Sequence, residues 1–189
     1  MTVWNWDHFW NYLVNPYLLG GAVTTIWLTI VSLTLGLALG LGIALMRMSP
    51  VRALSVGAQA YAWIFRGTPL LVQLIIIYTG LPQIGLRLDV IESAILGLVL
   101  NEAAYLSEII RAGIQAIAKG QWEAAFSLGL SRWRTFRLVV LPQAMRVIIP
   151  PLGNSVNGLL KTTSIASVIS MEELLRRGQI LQQQHFAVL

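Results

Sequence analysis

Apolar residues in this chain neither alternate nor keep to one stripe; they run together in four long blocks. The first, Ala22 to Met46, is apolar apart from Thr and Ser. Those hydroxyls can bond back to the helix's own carbonyls, so they are cheap in lipid. At roughly 20 residues per crossing, the block predicts one membrane-spanning helix. The second lies within Ala53 to Tyr78 and is interrupted by Arg66-Gly67-Thr68-Pro69. It predicts a short helix, then a membrane helix starting near Pro69, where proline suits a first turn. The third runs from Val90 to Ile110, and the fourth from Ala144 to Ile169 with Pro150-Pro151 and Gly153 inside. A kinked or broken helix is predicted at those prolines. The segment from Met171 to Leu189 is amphipathic and is not a span.

Composition agrees with the blocks. Hydrophobic residues make up 56% and charged residues 11% of the chain, with a mean hydropathy of +0.70. Soluble domains carry about 25% charged residues. A chain this poor in charge needs lipid as its solvent, so the predicted class is all-α transmembrane. Four spans are visible, and residues 1–189 form a single domain. The absence of cysteine excludes disulfides, thiolate zinc sites and cysteine nucleophiles. His8 and His185 sit near opposite ends, which argues against a histidine metal cluster.

The net charge of +5 suggests nucleic acid, but basic loops of a membrane protein account for it better. Arg47 and Arg52 lie between spans one and two. Arg111, Lys119, Arg132, Arg134, Arg137 and Arg146 lie between spans three and four. The N-terminal segment has no Lys or Arg, and the loop after span two has only Arg87. The positive-inside rule therefore puts the N-terminus outside and the 111–146 loop in the cytoplasm. Without a basic n-region the N-terminus is not a cleaved signal peptide. Trp4, Trp6, Trp10, Tyr12 and Tyr17 form an interfacial aromatic belt instead.

Candidate chemistry concentrates in three places. In the loop at about 114–141, Trp122 to Leu128 predicts a short helix with small residues on one face. Gly129 then permits a turn, and Ser131 is placed to cap a second helix bearing Arg132, Arg134 and Arg137. Two readings stay open on physical grounds: a helix that inserts into a partner's groove, and an amphipathic helix lying on the lipid surface. Span four carries Asn154, Ser155, Asn157, Lys161, Thr162 and Thr163. Asn154, Asn157 and Lys161 share one helical face. Lysine at mid-bilayer costs at least about 2.5 kcal/mol, so such residues either contact substrate or fill structural roles, Lys161 by snorkelling outward. Span three carries Asn101, Glu102 and Glu108. Asn101 and Glu102 are the deeper pair, suited to a subunit interface or a pathway, whereas Glu108 suits an intrahelical pair with Arg111.

Other motifs are weak. Gly36 and Gly40 form a small-xxx-small pair in span one. The stretch Gly153 to Thr162 looks like a phosphate-binding loop, but Lys161 does not directly follow Gly158 and the context is a span, so ATP binding by this chain is rejected. Neither HExxH nor GxSxG occurs, and no enzymatic activity is expected.

Glu123-Ala124-Ala125, then Gly129, then Leu141-Pro142 resembles the EAA loop of binding-protein-dependent ABC importer permeases. Val139 stands where that pattern usually has Ile. Arg66 to Gln73, Ala104 to Gly113, and Gly153-Asn154 followed by Leu160 to Ile165 resemble the polar amino acid uptake branch of that family. Together the resemblance covers about residues 20 to 175. It implies an all-helical ABC importer permease core of five or more helices, and hence a fifth helix missing after the last residue here. It implies two permease subunits, identical or homologous, two cytoplasmic ABC ATPase subunits that bind ATP and Mg, and an extracytoplasmic substrate-binding protein. The substrate would be an L-amino acid, the location a bacterial inner membrane, and the mechanism alternating access. Carried over residue by residue, the ATPase-coupling role falls on Glu123, Ala124, Ala125 and Gly129, with Leu130 beside them. The alternative is a self-contained secondary transporter or channel for small polar solutes, which would not need an EAA-type loop. Span four offers no acidic group, so its Lys, Asn, Ser and Thr side chains suit a neutral or acidic substrate better than a cation.

Overall fold

The computed structural model describes residues 6–185, and every regular element among them is helical. After a short α1 (Trp6–Leu13) comes α2 (Pro16–Arg47). Its 32 residues give about 48 Å of helix, more than the roughly 30 Å hydrocarbon core of a bilayer. The interruption at Arg66–Pro69 is real: α3 (Arg52–Gly67) ends there and α4 (Leu70–Ile75) begins one residue after Pro69. Pro69 sits in extended backbone ahead of the first turn of α4. Buried Gln73 reaches back and donates through Nε2 to the Thr68 carbonyl (3.1 Å) and to Thr68 Oγ1 (2.7 Å), which serves the polar groups freed by the break. The helix continues as a π turn (Ile76–Gly80) and a 3-10 turn (Leu81–Ile84).

The remaining elements are α5 (Val90–Gln115), α6 (Lys119–Ser127), α7 (Arg132–Thr135), α8 (Leu141–Thr162) and α9 (Leu174–His185). A π turn (Phe136–Val140) joins α7 to α8, and a 3-10 stretch (Thr163–Ile169) follows α8. Three runs are long and apolar enough to cross a membrane: α2, α5, and Arg132–Ile169. The helices flanking Thr68-Pro69 make a fourth if counted as one broken span. The predicted break at Pro150-Pro151 does not appear, because the α-helix runs through both prolines. The departures from α geometry lie before Leu141 and after Thr162 instead. Of the aromatic belt, Trp4 lies outside the described residues, whereas Trp6 and Trp10 are exposed.

The described residues form two compact units. The first is drawn from the chain up to Leu33, from Thr68–Leu98 and from Leu159 onward. Its core contains Leu28, Leu70, Leu74, Ala94, Leu98, Leu159, Ala166, Ile169 and Met171. Gly97 lets α5 close on Leu74, whose Cδ2 would lie 2.6 Å from any added Cβ. In this unit α9 is tied down at its start. Buried Glu173 accepts from the backbone N–H groups of Leu175 (2.8 Å) and Arg176 (2.7 Å), and Arg177 donates to the Tyr17 carbonyl (3.0 Å). Such capping satisfies N–H groups that a helix start leaves open.

The second unit comprises Thr34–Gly67 and Val99–Gly158. Ile43, Ala58 and Ala103 form its core with Tyr61 against them. Here the glycine pair matters. A Cβ on Gly40 would sit 3.0 Å from both the Ala103 carbonyl oxygen and Leu106 Cβ, and one on Gly36 would sit 3.3 Å from Glu102 Cβ. Without a hydrophobic drive between helices in lipid, close backbone approach of this kind supplies the packing.

Candidate functional site

The loop that carries the EAA-like residues is built as a rigid hook within the second unit. Helix α6 ends in a left-handed residue, Gly129, with φ of +78°. The Leu130 N–H bonds to the Ala125 carbonyl (3.1 Å) and the Gly129 N–H to the Phe126 carbonyl (2.9 Å). These two bonds are the Schellman pattern, and it needs a residue at ease with positive φ. Nothing lies within 4 Å of a Cβ added to Gly129, so conformation and not space selects glycine here. Gly129→Ala is expected to cost about 1 kcal/mol, visible as a lower midpoint in detergent unfolding. An unchanged midpoint would show that the turn relaxes at no cost.

Ser131 occupies the predicted N-cap position of α7, but its side chain makes no capping bond. Gln143 Nε2 donates to Gln121 Oε1 (3.0 Å), which pins α6 to the first turn of α8. Because α7 passes through its π turn directly into α8, no loop separates the hook from a spanning helix. Glu123 and Ala124 are exposed, and so is Phe126. Leu128 is the most exposed large apolar residue among the described residues, at 82%. Ala125, expected to face a partner, is 3% exposed and packs inward. Leu130 is half-buried. Sequence reasoning did not single out Leu128, although an apolar residue flanking a C-capping glycine is a detectable sign.

The structure disperses the polar residues of spans three and four among different roles. Asn101 Nδ2 donates to the Phe65 carbonyl at the end of α3 (3.1 Å). Glu102 is 7% exposed and accepts from the Ser155 hydroxyl, so α5 and α8 share a buried polar contact beside Gly36. Asn154 and Asn157 are exposed on α8, and Thr162 is half-buried. Lys161 is exposed and borders a cleft of 610 Å³ in the first unit, together with Thr25, Ser164, Glu173, Gln179 and Gln182. The stretch from Gly153 to Gly158 is α-helical, not a loop, which removes the phosphate-loop reading on geometry as well.

Glu108 makes its expected intrahelical contact with Arg111. It also takes two partners that local spacing could not reveal, Arg47 (2.8 Å) and Arg66 (3.3 Å). The Arg66 guanidinium additionally lies over the Tyr105 ring at 5.5 Å.

Comparison with known proteins places this geometry in context. The family model described as "Binding-protein-dependent transport system inner membrane component" matches residues 32–188. The L-cystine transport system permease protein TcyB of Bacillus subtilis (strain 168) is 47% identical over 178 residues, covering 92% of this chain and 74% of that protein. The glutamine transport system permease protein GlnP of Escherichia coli (strain K12) is 37% identical, over 98% of this chain and 84% of its own length. Among solved structures, that of an amino acid ABC transporter with histidines superposes with a TM-score of 0.91 at 41% identity, covering 99% of this chain and 86% of the other.

Proposed function

This chain belongs to the binding-protein-dependent transport system inner membrane components, multi-pass membrane proteins, and from that premise we propose that it is the permease subunit of an ATP-driven importer of L-amino acids. The observation that carries the reading is the hook at α6 and α7. It is exposed, it bears Glu123 beside apolar Phe126 and Leu128, and it is continuous with α8. A short exposed helix with apolar anchors suits insertion into a partner's groove. In this proposal Glu123, Ala124, Gly129 and Leu130 meet the ATPase, with Leu128 as anchor and Ala125 supporting from within. The partner ATPases bind ATP and Mg²⁺ and hydrolyse the nucleotide; the permease performs no catalysis.

The assembly we propose has two permease subunits, identical or homologous, two ATPases and an extracytoplasmic binding protein. The chain forms one transmembrane domain in a bacterial inner membrane. Its N-terminus is outside and its loop at about 114–141 is in the cytoplasm, a reading supported by the arginine distribution. Closure of the ATPase pair moves the hooks, and the spans rock between inward-open and outward-open states. Asn101, Glu102, Asn154, Ser155, Asn157, Lys161 and Thr162 line or support the pathway. The lysine and the uncharged polar groups favour a neutral or acidic amino acid.

Glu123→Arg tests the coupling. In the assembled transporter reconstituted in vesicles, reversing this charge at the ATPase contact is expected to lower uptake and substrate-stimulated ATP hydrolysis at least about tenfold. Undiminished uptake, or transport by the permease without its ATPase, would reject the reading. Competition between labelled glutamate, glutamine and arginine tests the substrate class, and a clear arginine preference would overturn it.

A further inference from the structure

The three arginines around Glu108 outnumber the acid that holds them. Glu108 Oε2 takes Arg47 and Arg66, and Oε1 takes Arg111, so a single carboxylate faces three guanidiniums. The Arg47 side chain is only 11% exposed and the Arg111 side chain 27%. Charge held this far from water needs a counter-charge, and with the Arg66 side chain 41% exposed to solvent, one carboxylate leaves one of the two sheltered cations over. The remaining donors have an outlet. A pocket of 190 Å³ is lined by Arg47, Gln59, Arg111 and Gln115, all four of them bearing N–H donors. Arg111 Nη1 already donates to Gln115 Oε1, and Arg111 Nε is buried without a hydrogen-bond partner. Gln59, by contrast, stands exposed on α3.

The surroundings indicate where an anion would come from. Val56 and Trp63 lie three residues before and four after Gln59, on the same face of α3, and Trp63 is 78% exposed. A face of this kind is solvated by lipid, and tryptophan concentrates at headgroup depth. Arg47 immediately follows the last residue of the first apolar block, which is the boundary of the hydrocarbon layer on the side assigned to the anionic leaflet. We propose that Arg47 and Arg111, with Gln59 and Gln115, form an oxyanion site for a phosphate group, filled by the headgroup of an anionic phospholipid. Arginine matches phosphate with paired N–H donors, so two arginines with two amide side chains can hold the phosphodiester. The assignment rests on the membrane orientation proposed above but not on ATPase coupling.

Native mass spectrometry of the full chain in detergent, titrated with phosphatidylglycerol, with phosphatidylcholine, or with inorganic phosphate, tests it. Phosphatidylglycerol is expected to be retained about tenfold better than phosphatidylcholine. Gln59→Glu places a negative charge at the exposed rim without disturbing the core and is expected to abolish the preference, while Arg47→Gln weakens it. Equal retention of the two lipids, or a preference that survives Gln59→Glu, would overturn the site. Saturation by inorganic phosphate with no phosphatidylglycerol preference would overturn the lipid as its source. Because the readout is binding, it is independent of any failure of the Glu123→Arg transport experiment.

Discussion

Glu108→Ala is expected to destabilise the protein by about 1–3 kcal/mol, measured as a lower midpoint of unfolding in detergent micelles. The reason is an asymmetry. Removing one member of a partly buried ion pair leaves its partners charged and unpaired, which costs more than the pair itself contributes, solvent at the 25% exposed Glu108 softening the penalty. Here one deletion strands Arg47, Arg66 and Arg111 together. Ser107 offers Arg47 only a long contact of 3.4 Å, too weak to replace the carboxylate. Glu108→Gln retains an acceptor but no charge and is expected to fall between wild type and alanine. A wild-type midpoint for Glu108→Ala would mean that solvent already screens the cluster.

A comparable loss is expected from Gly40→Leu. Its Cβ would meet the Ala103 carbonyl and Leu106 Cβ at 3.0 Å, and the first of these is backbone that cannot swing away. Overpacking of this kind costs about 1–3 kcal/mol, and the branched side chain adds further clashes toward Ser107. Gly42 provides the control two residues away, since nothing lies within 4 Å of an added Cβ there. Gly42→Leu should therefore leave the unfolding midpoint unchanged or raise it slightly, glycine being the poorer helix former. An equal loss at both positions would mean that something other than the approach of α5 sets the cost, since leucine is a better helix former than glycine.

These residues also show what could be read without coordinates. The spans were legible because uninterrupted apolar runs have few alternatives in lipid. The break at Gly67-Thr68-Pro69 was legible because proline there starts a helix that the preceding residues cannot continue. Gly129 was legible as a turn because glycine takes positive φ without the steric cost other residues incur there. The Glu108–Arg111 pair followed from helical spacing. Arg47 and Arg66 did not, since they approach Glu108 from other helices and no local period encodes that meeting. The Glu102–Ser155 contact was invisible for the same reason. Pro150-Pro151 did not break the helix, because a membrane span can keep α geometry through proline where water does not compete for the freed carbonyls. Ala125 misled because a motif names residues without saying which of them turn inward.

The passage of α8 through Pro150-Pro151 has a mechanical consequence. Proline has no N–H, so the carbonyls of Arg146 and Val147 lack the rungs that positions 150 and 151 would supply. Elsewhere along that helix, flexing must stretch a ladder of bonds; across these two rungs there is nothing to stretch. A push entering at the hook would thus be taken up first just past the membrane surface, giving the helix a built-in elastic joint while the rest moves as a stiff rod.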